Sequence, residues 1–293
     1  MGALTIRTVN TQSRYKKNKG CIMSDLLIGT SGYDYPEWKG VFYPQDMKRK
    51  DFLSYYATQF NALELNNTFY NMPTAERLYS FYERSEGRLQ FSVKANRLLT
   101  HEVDSTWQSA AEDFKSALTP LQEKGILSAV LFQLPESFHY TNDNRIYLAK
   151  LIQKFEGFPT LIEFRHREWI KESVFEGLEK RNAGIVFCDM PQLKNLPDGT
   201  VTNIPFIGSN AYIRLHGRNA NAWYAAGESP NGSARFCYDY SENELAQFVP
   251  IIKQAKQEGK KVQVYFNNHP NGSGAKNAIS LKKMIVMDET GEK

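Results

Sequence analysis

The chain has 293 residues, 41% hydrophobic and 23% charged, which excludes a disordered or low-complexity polypeptide and leaves room for a sizeable core. No apolar run reaches the ~20 residues that cross a bilayer and the opening residues lack a secretory apolar core, so the expected setting is the cytoplasm, away from membranes. The net charge of +4 does not describe the body: five of the 36 basic side chains (Arg7, Arg14, Lys16, Lys17 and Lys19) fall in residues 1–22, which hold no acid, leaving 31 basic against 32 acidic.

Residues 1–22 show no apolar periodicity and are expected to be a disordered basic extension, with Met23 a natural start for one folded domain over 23–293. From there, eight short runs rich in apolar, β-branched and aromatic residues predict strands at 26–32, 62–69, 90–96, 128–135, 160–166, 184–190, 211–218 and 261–268. Helical patterns at 48–60, 74–85, 107–125, 144–155, 173–182, 241–259 and 275–285 separate most of them. Thr74, Asn144, Ser173 and Ser241 are the expected N-caps. The stretch 191–210, rich in Pro, Gly and Asn, predicts one irregular crossover after the sixth strand.

Strand alternating with helix implies parallel pairing, and eight units of this size predict a single (β/α)8 TIM barrel. An open doubly wound sheet is the alternative, but the first strand is followed by "GTSGYDY" instead of G-x-G-x-x-G. The three cysteines, Cys21, Cys188 and Cys237, are odd in number with no C-x-x-C spacing, so reduced thiols are expected.

Side-chain parity carries the functional reading. If Leu63 and Leu65 face the helices, then Glu64, Asn66 and Thr68 face the lumen. By the same count Ser92, Lys94 and Asn96 point inward from the third strand, Gln133 from the fourth, and Glu163 and Arg165 from the fifth. Tyr212, Arg214, His216 and Arg218 follow from the seventh, and Gln263, Tyr265 and Asn267 from the eighth. Charges removed from water must be paired or reserved for a ligand. A self-satisfied salt-bridge network is the structural alternative; a ligand pocket is favoured because barrel active sites sit at the C-terminal mouth.

Gly272 and Gly274, just before the last helix, could offer backbone N–H groups to an anion. With Lys94, Arg165, Arg214 and Arg218 they point to a small anionic or phosphorylated metabolite. His216 is the candidate general acid or base, with Glu64 or Glu163 as its partner or as a second proton carrier. Glu163, Asp189 and His216 have metal-ligand chemistry, but no H-E-x-x-H or Cys/His cluster supports it, so neither metal nor cofactor is expected. His101, His139, His166 and His269 read individually as structural or exposed. Of the aromatic residues Tyr33, Tyr35, Trp38, Phe42, Tyr43, Phe69 and Tyr70, most are expected to pack, with Trp38 and Tyr70 the candidates for stacking on a ligand. The insertion 219–240 could be a lid. Nucleic-acid or phosphodiester processing, metal-assisted or not, is the alternative partner class, and a non-catalytic ligand-binding protein or scaffold the third. Oligomeric state is not legible.

The stretches "IGTSGYDYPEWKGVFYP", "LELNNTFYNMPT", "FSVKANRLLTH", "LFQLPESF", "IEFRHREW", "YIRLHGR" and "YFNNH", in this order, resemble the YecE-like domain-of-unknown-function family. The resemblance implies a (β/α)8 barrel whose mouth is built from Gly32, Tyr33, Trp38, Glu64, Asn66, Tyr70, Lys94, His101, Gln133, Glu163, Arg165, Arg214, His216 and Asn267. It implies no particular reaction.

Overall fold

In a computed structural model, the described residues are 26–198, 206–225 and 230–290, so the expected N-terminal extension lies outside them. Eight strands, β1 (Leu26–Thr30), β2 (Ala62–Leu65), β3 (Gln90–Lys94), β4 (Leu127–Gln133), β5 (Thr160–Glu163), β6 (Gly184–Asp189), β7 (Asn210–Leu215) and β8 (Lys261–Phe266), form one all-parallel sheet. Each strand ladders to its sequence neighbours, β1 pairs with β8, and a Ser31–Glu64 bridge closes the remaining β1–β2 gap. The expected TIM barrel is present.

Helices α1 (Phe52–Gln59), α2 (Ala75–Arg84), α3 (Trp107–Glu123), α4 (Asn142–Lys154), α5 (Glu172–Glu179), α6 (Glu242–Ala246), α7 (Phe248–Gln257) and α8 (Ser273–Thr290) supply the outer layer. Between β6 and β7 the described residues contain no helix, as the Pro/Gly-rich sequence predicts. Two expected caps differ. Thr141, not Asn144, accepts the first-turn N–H of α4, and α5 starts at Glu172 so that Ser173 is already helical. The single helix expected over 241–259 is two, because Pro250 has no N–H for Ala246 and its ring crowds that carbonyl. Among the described residues no helix is long and apolar enough to cross a membrane. Cys188 is buried, Cys237 exposed, and neither is in a disulfide.

The apolar parity of the strands builds two cores. Outward residues such as Ile28, Leu63, Val93, Phe132, Ile162, Ile213 and Val264 join the helices in the larger one. Inward Leu27, Ala62, Leu131, Leu161, Val186, Tyr212 and Tyr265 fill the lower lumen.

The β1–β2 seam is held by side chains. Tyr56 Oη accepts the Thr30 N–H at 2.8 Å and donates to Ala62 O at 3.0 Å, while Asn61 bonds Ile28 N and Leu26 O at 3.0 and 2.9 Å. The strands approach so closely that a Cβ on Gly29 would lie 2.1 Å from Ala62 O. Removing the hydroxyl in Tyr56→Phe strands a buried N–H and a buried carbonyl. The expected loss is about 1–3 kcal/mol, read from urea unfolding; an unchanged midpoint would show that the seam rests on packing alone.

Candidate functional site

Above the apolar lower lumen the inward parity of four strands converges on a charge network whose centre, Glu64, Glu163 and Arg214, is fully buried. Glu64 accepts hydrogen bonds from Ser31 Oγ (2.6 Å), Tyr212 Oη (2.7 Å) and Arg214 Nη2 (2.6 Å). Because Tyr212 spends its proton on Glu64, its oxygen accepts from Ser92 Oγ at 2.6 Å. Burial and then the Glu64 charge hold the Tyr212 phenol well above its ordinary range. Arg214 reaches across with its other nitrogen, Nη1, to Glu163 Oε2 at 2.5 Å. The second oxygen of Glu163 is bound by Arg165 Nε. Burial alone would raise the Glu163 carboxyl, but the charges of Arg165 and Arg214 outweigh it and hold it well below the usual carboxylate range.

His216 is fully buried between this network and the mouth. Arg165 Nη2 lies 3.1 Å from His216 Nε2 and can only donate, so Nε2 accepts and the ring proton sits on Nδ1. The Asn267 amide, 2.9 Å from Nδ1, must then present its oxygen, an orientation assigned from this network. Burial, followed by the Arg165 charge, pushes the imidazole down to about 3, so it is neutral near pH 7. Both ring nitrogens are committed, and the geometry makes His216 a clamp on Arg165.

Two carboxylates and two guanidiniums in this network cancel. Lys94 is the cation left over. Its Nζ bonds Gln133 Oε1 at 2.9 Å, lies 4.4 Å from the centroid of the Phe69 ring, and has no carboxylate within ion-pair distance among the described residues. Burial, then the Arg214 charge, pushes the amine down to about 7. Lys94 and Arg165 both remain partly exposed. Around them stand Asn66, whose buried Oδ1 has no partner among the described residues, exposed His101 edge-on to Phe69, and Tyr70 at 64% exposure.

Described residues of the insertion after β7 cover the other side of the mouth; 226–229 of the expected lid lie outside the described residues. Trp223 and Phe236 lie 6.4 and 5.9 Å from the His216 ring, Arg165 stacks 5.8 Å from the Trp223 centroid, and Tyr224 Oη donates to Glu136 Oε1 in the β4 loop at 3.3 Å.

Several expected mouth residues lie elsewhere. Arg218 is turned out of the lumen because Gly217 (φ 89°) breaks the alternation of β7; it binds Asp189 at 2.7 Å and Glu244 at 3.3 Å. Asp189 has the outward parity of Ile185 and Phe187, so it meets Arg218 and Tyr240 instead of Glu163 and His216. The donor atoms that do cluster with those two belong to Cys188, whose thiol is held well above its ordinary range by burial first and Glu163 next. With both Glu163 oxygens on guanidiniums and the thiol protonated, these three do not fit a metal.

Thr68 lies in a 3-10 turn, because β2 stops at Leu65, and its hydroxyl ties Leu65 O to Lys94 O. Asn96 caps the turn after β3, its amide fixed on Leu98 N and Thr68 O. Trp38 is fully buried with Nε1 on His269 O at 2.8 Å, a packing residue of the first loop. Gly272 packs on that loop, where a Cβ would meet Val41 at 2.7 Å, and Gly274 packs on Asn268. Tyr33, nearly buried, lines a separate cavity of about 710 Å³ beside Asn66 and Tyr70, with Arg49, Arg77 and Arg84 on its walls. Sequence reasoning missed Ser31 and Tyr212 as partners of Glu64 and Ser92 as the partner of Tyr212; the parity count places Ser92 and Tyr212 inward, but nothing local links these four positions.

A profile described as "Protein of unknown function DUF72" matches residues 27–292. The chain belongs to the DUF72 family. It is 27% identical over 278 residues to the UPF0759 protein YunF of Bacillus subtilis (strain 168), covering 91% of this chain and 96% of that protein. A solved DUF72 family protein from Thermotoga maritima is 31% identical, with a TM-score of 0.78, over 89% of this chain and 99% of that one. Another from Enterococcus faecalis shares the fold at 24% identity and a TM-score of 0.75, over 89% and 95% of the two chains. These likenesses bear out the family resemblance carried by the ordered motifs. They bring no activity with them.

Proposed function

We propose that this DUF72 protein is a cytoplasmic enzyme that holds a small anionic or phosphorylated metabolite at the barrel mouth and moves a proton on it. Lys94 and Arg165 bind the anion in this reading. Asn66, Gln133 and Asn267 fix its orientation. Lys94, whose amine can be neutral near pH 7, carries the proton, and Glu64, Glu163, Arg214 and His216 form the rigid charged floor that positions Arg165. The observation that carries the proposal is the charge balance among the described residues: beneath the mouth Glu64 and Glu163 are paired with guanidiniums, and Lys94 has an amide oxygen and a ring face as partners and no carboxylate.

A second reading, binding of a phosphodiester polymer, is favoured by exposed Tyr70 and the cavity walled by Arg49, Arg77 and Arg84. One screen tests both. Unfolding temperature is measured with phosphate, pyrophosphate, sugar phosphates and short oligonucleotides, for wild type and Arg165→Ala, with folding of the variant checked by circular dichroism. A small phosphate at 100 times its Kd should add about 2.7 kcal/mol to wild type and far less to the variant. Stabilisation by oligonucleotides alone, falling steeply with salt, would favour the polymer. No stabilisation by any small anion, or equal stabilisation of the variant, would overturn the metabolite reading.

A further inference from the structure

Away from the lumen, on the same C-terminal face of the barrel, three metal-ligand side chains meet that the charge network does not use. His139 lies in the loop after β4, and His166 and Glu168 lie in the turn after β5. The Nδ1 atoms of both histidines are 3.5 Å from the same carboxylate oxygen, Glu168 Oε2, and all three donor atoms lie within 4.8 Å of one another. A tetrahedral ion with bonds of 2.0–2.1 Å separates its ligand atoms by about 3.3 Å. Direct hydrogen bonds would be shorter than 3.5 Å, so the spacing suits an ion between the groups better than contact among them. We propose that His139, His166 and Glu168 form a binding site for a divalent transition-metal ion, Zn²⁺ being the best match to two imidazoles and one carboxylate.

The surroundings preorganise the three donors. Trp169 Nε1 donates to Phe138 O at 2.6 Å, its ring stacks on Phe138 at 5.2 Å and on Phe164 at 4.9 Å, and the two loops are thereby pinned on either side of the histidines. The His139 carbonyl accepts from Thr141 N and Asn144 Nδ2, both at 2.8 Å, fixing the backbone that carries that ring. His166 is nearly buried, and His139 and Glu168 face solvent, so an ion has a fixed wall and an entry path. What competes for the donors is weak: Glu168 N–H reaches His166 Nδ1 at 3.3 Å, and Tyr140 N–H reaches Glu168 Oε2 at 3.2 Å. Three protein ligands leave a coordination position for water or a ligand, the arrangement of an open site.

The test is titration of the chelator-stripped full chain with Zn²⁺ by calorimetry and with Co²⁺ by visible absorption. One ion per chain should bind in the micromolar range or tighter, with Co²⁺ showing d–d bands and no thiolate charge-transfer band. His139→Ala and Glu168→Gln should each weaken binding by at least the 10- to 100-fold typical of losing an outer-shell partner, with no change in unfolding temperature of the metal-free protein. Absence of binding, binding unaltered by both variants, or a thiolate band placing the ion at Cys188 or another cysteine would each overturn the proposal.

Discussion

Arg214→Ala should cost the protein about 3–5 kcal/mol of stability, the loss expected when one partner of a buried ion pair is removed. The reason is what the substitution leaves behind. Glu64 and Glu163 each give an oxygen to this guanidinium, at 2.6 and 2.5 Å, and all three groups are sealed from water. Glu64 would keep its two hydroxyl donors and Glu163 its bond to Arg165, but two carboxylates would share one nearby guanidinium. Arg214→Lys should recover only part of the loss, since an ammonium cannot span both acids as the planar fork does. Urea unfolding of the two variants reads this directly, and a loss under about 1 kcal/mol for alanine would mean that water reaches the network.

Lys94 should make stability rise with pH across the neutral and alkaline range. Its folded-state amine titrates near 7, against an ordinary value of 10.5. Between those values the unfolded chain holds a proton that the folded chain has released, so the unfolded state binds more protons and ΔG of unfolding increases with pH. Below about pH 7 both states are charged and the full penalty of burying the ammonium remains, several kcal/mol at roughly 1.4 per unit. Lys94→Met removes the penalty. Its stability advantage over wild type should therefore be largest at pH 6–7 and shrink steadily towards pH 10, in paired urea titrations. A difference independent of pH would show that Lys94 keeps an ordinary amine. An anion bound beside Lys94 should favour its charged form, so binding near pH 8 should take up a proton, detectable by calorimetry in buffers of different ionisation enthalpy.

The barrel and much of its lumen were legible because period-2 alternation is local. Glu64, Lys94, Gln133, Glu163, Arg165, Arg214, His216 and Asn267 all follow from counting alternate residues along their strands or just past them. The count failed where the chain leaves the extended conformation. Thr68 falls in a short helical turn, Asn96 is spent capping the turn that follows it, and Arg218 follows a left-handed glycine, so each of the three serves its own loop. "HGR" contained the warning, since a glycine next to a strand end can reset the parity. Pairings between distant strands were not legible. Which acid meets Arg214, or that Tyr212 and Ser31 hold Glu64, depends on register around the barrel, and no local pattern encodes it. Nor was the commitment of both His216 nitrogens, which turns an apparent acid–base residue into a clamp.

The side-chain seam between the first two strands bears on how the chain assembles during synthesis. Backbone laddering ties β1 to β8, more than 230 residues later, whereas its nearer neighbour holds it through Tyr56, Asn61, the Ser31–Glu64 side-chain bond and one bridge. A ribosome therefore releases the opening strand long before its main partner exists, and ring closure must wait for the final βα unit. Until then the edge of that strand that will meet β8 stays open, while Tyr56 and Asn61 satisfy the opposite edge, through Thr30, Ile28 and Leu26.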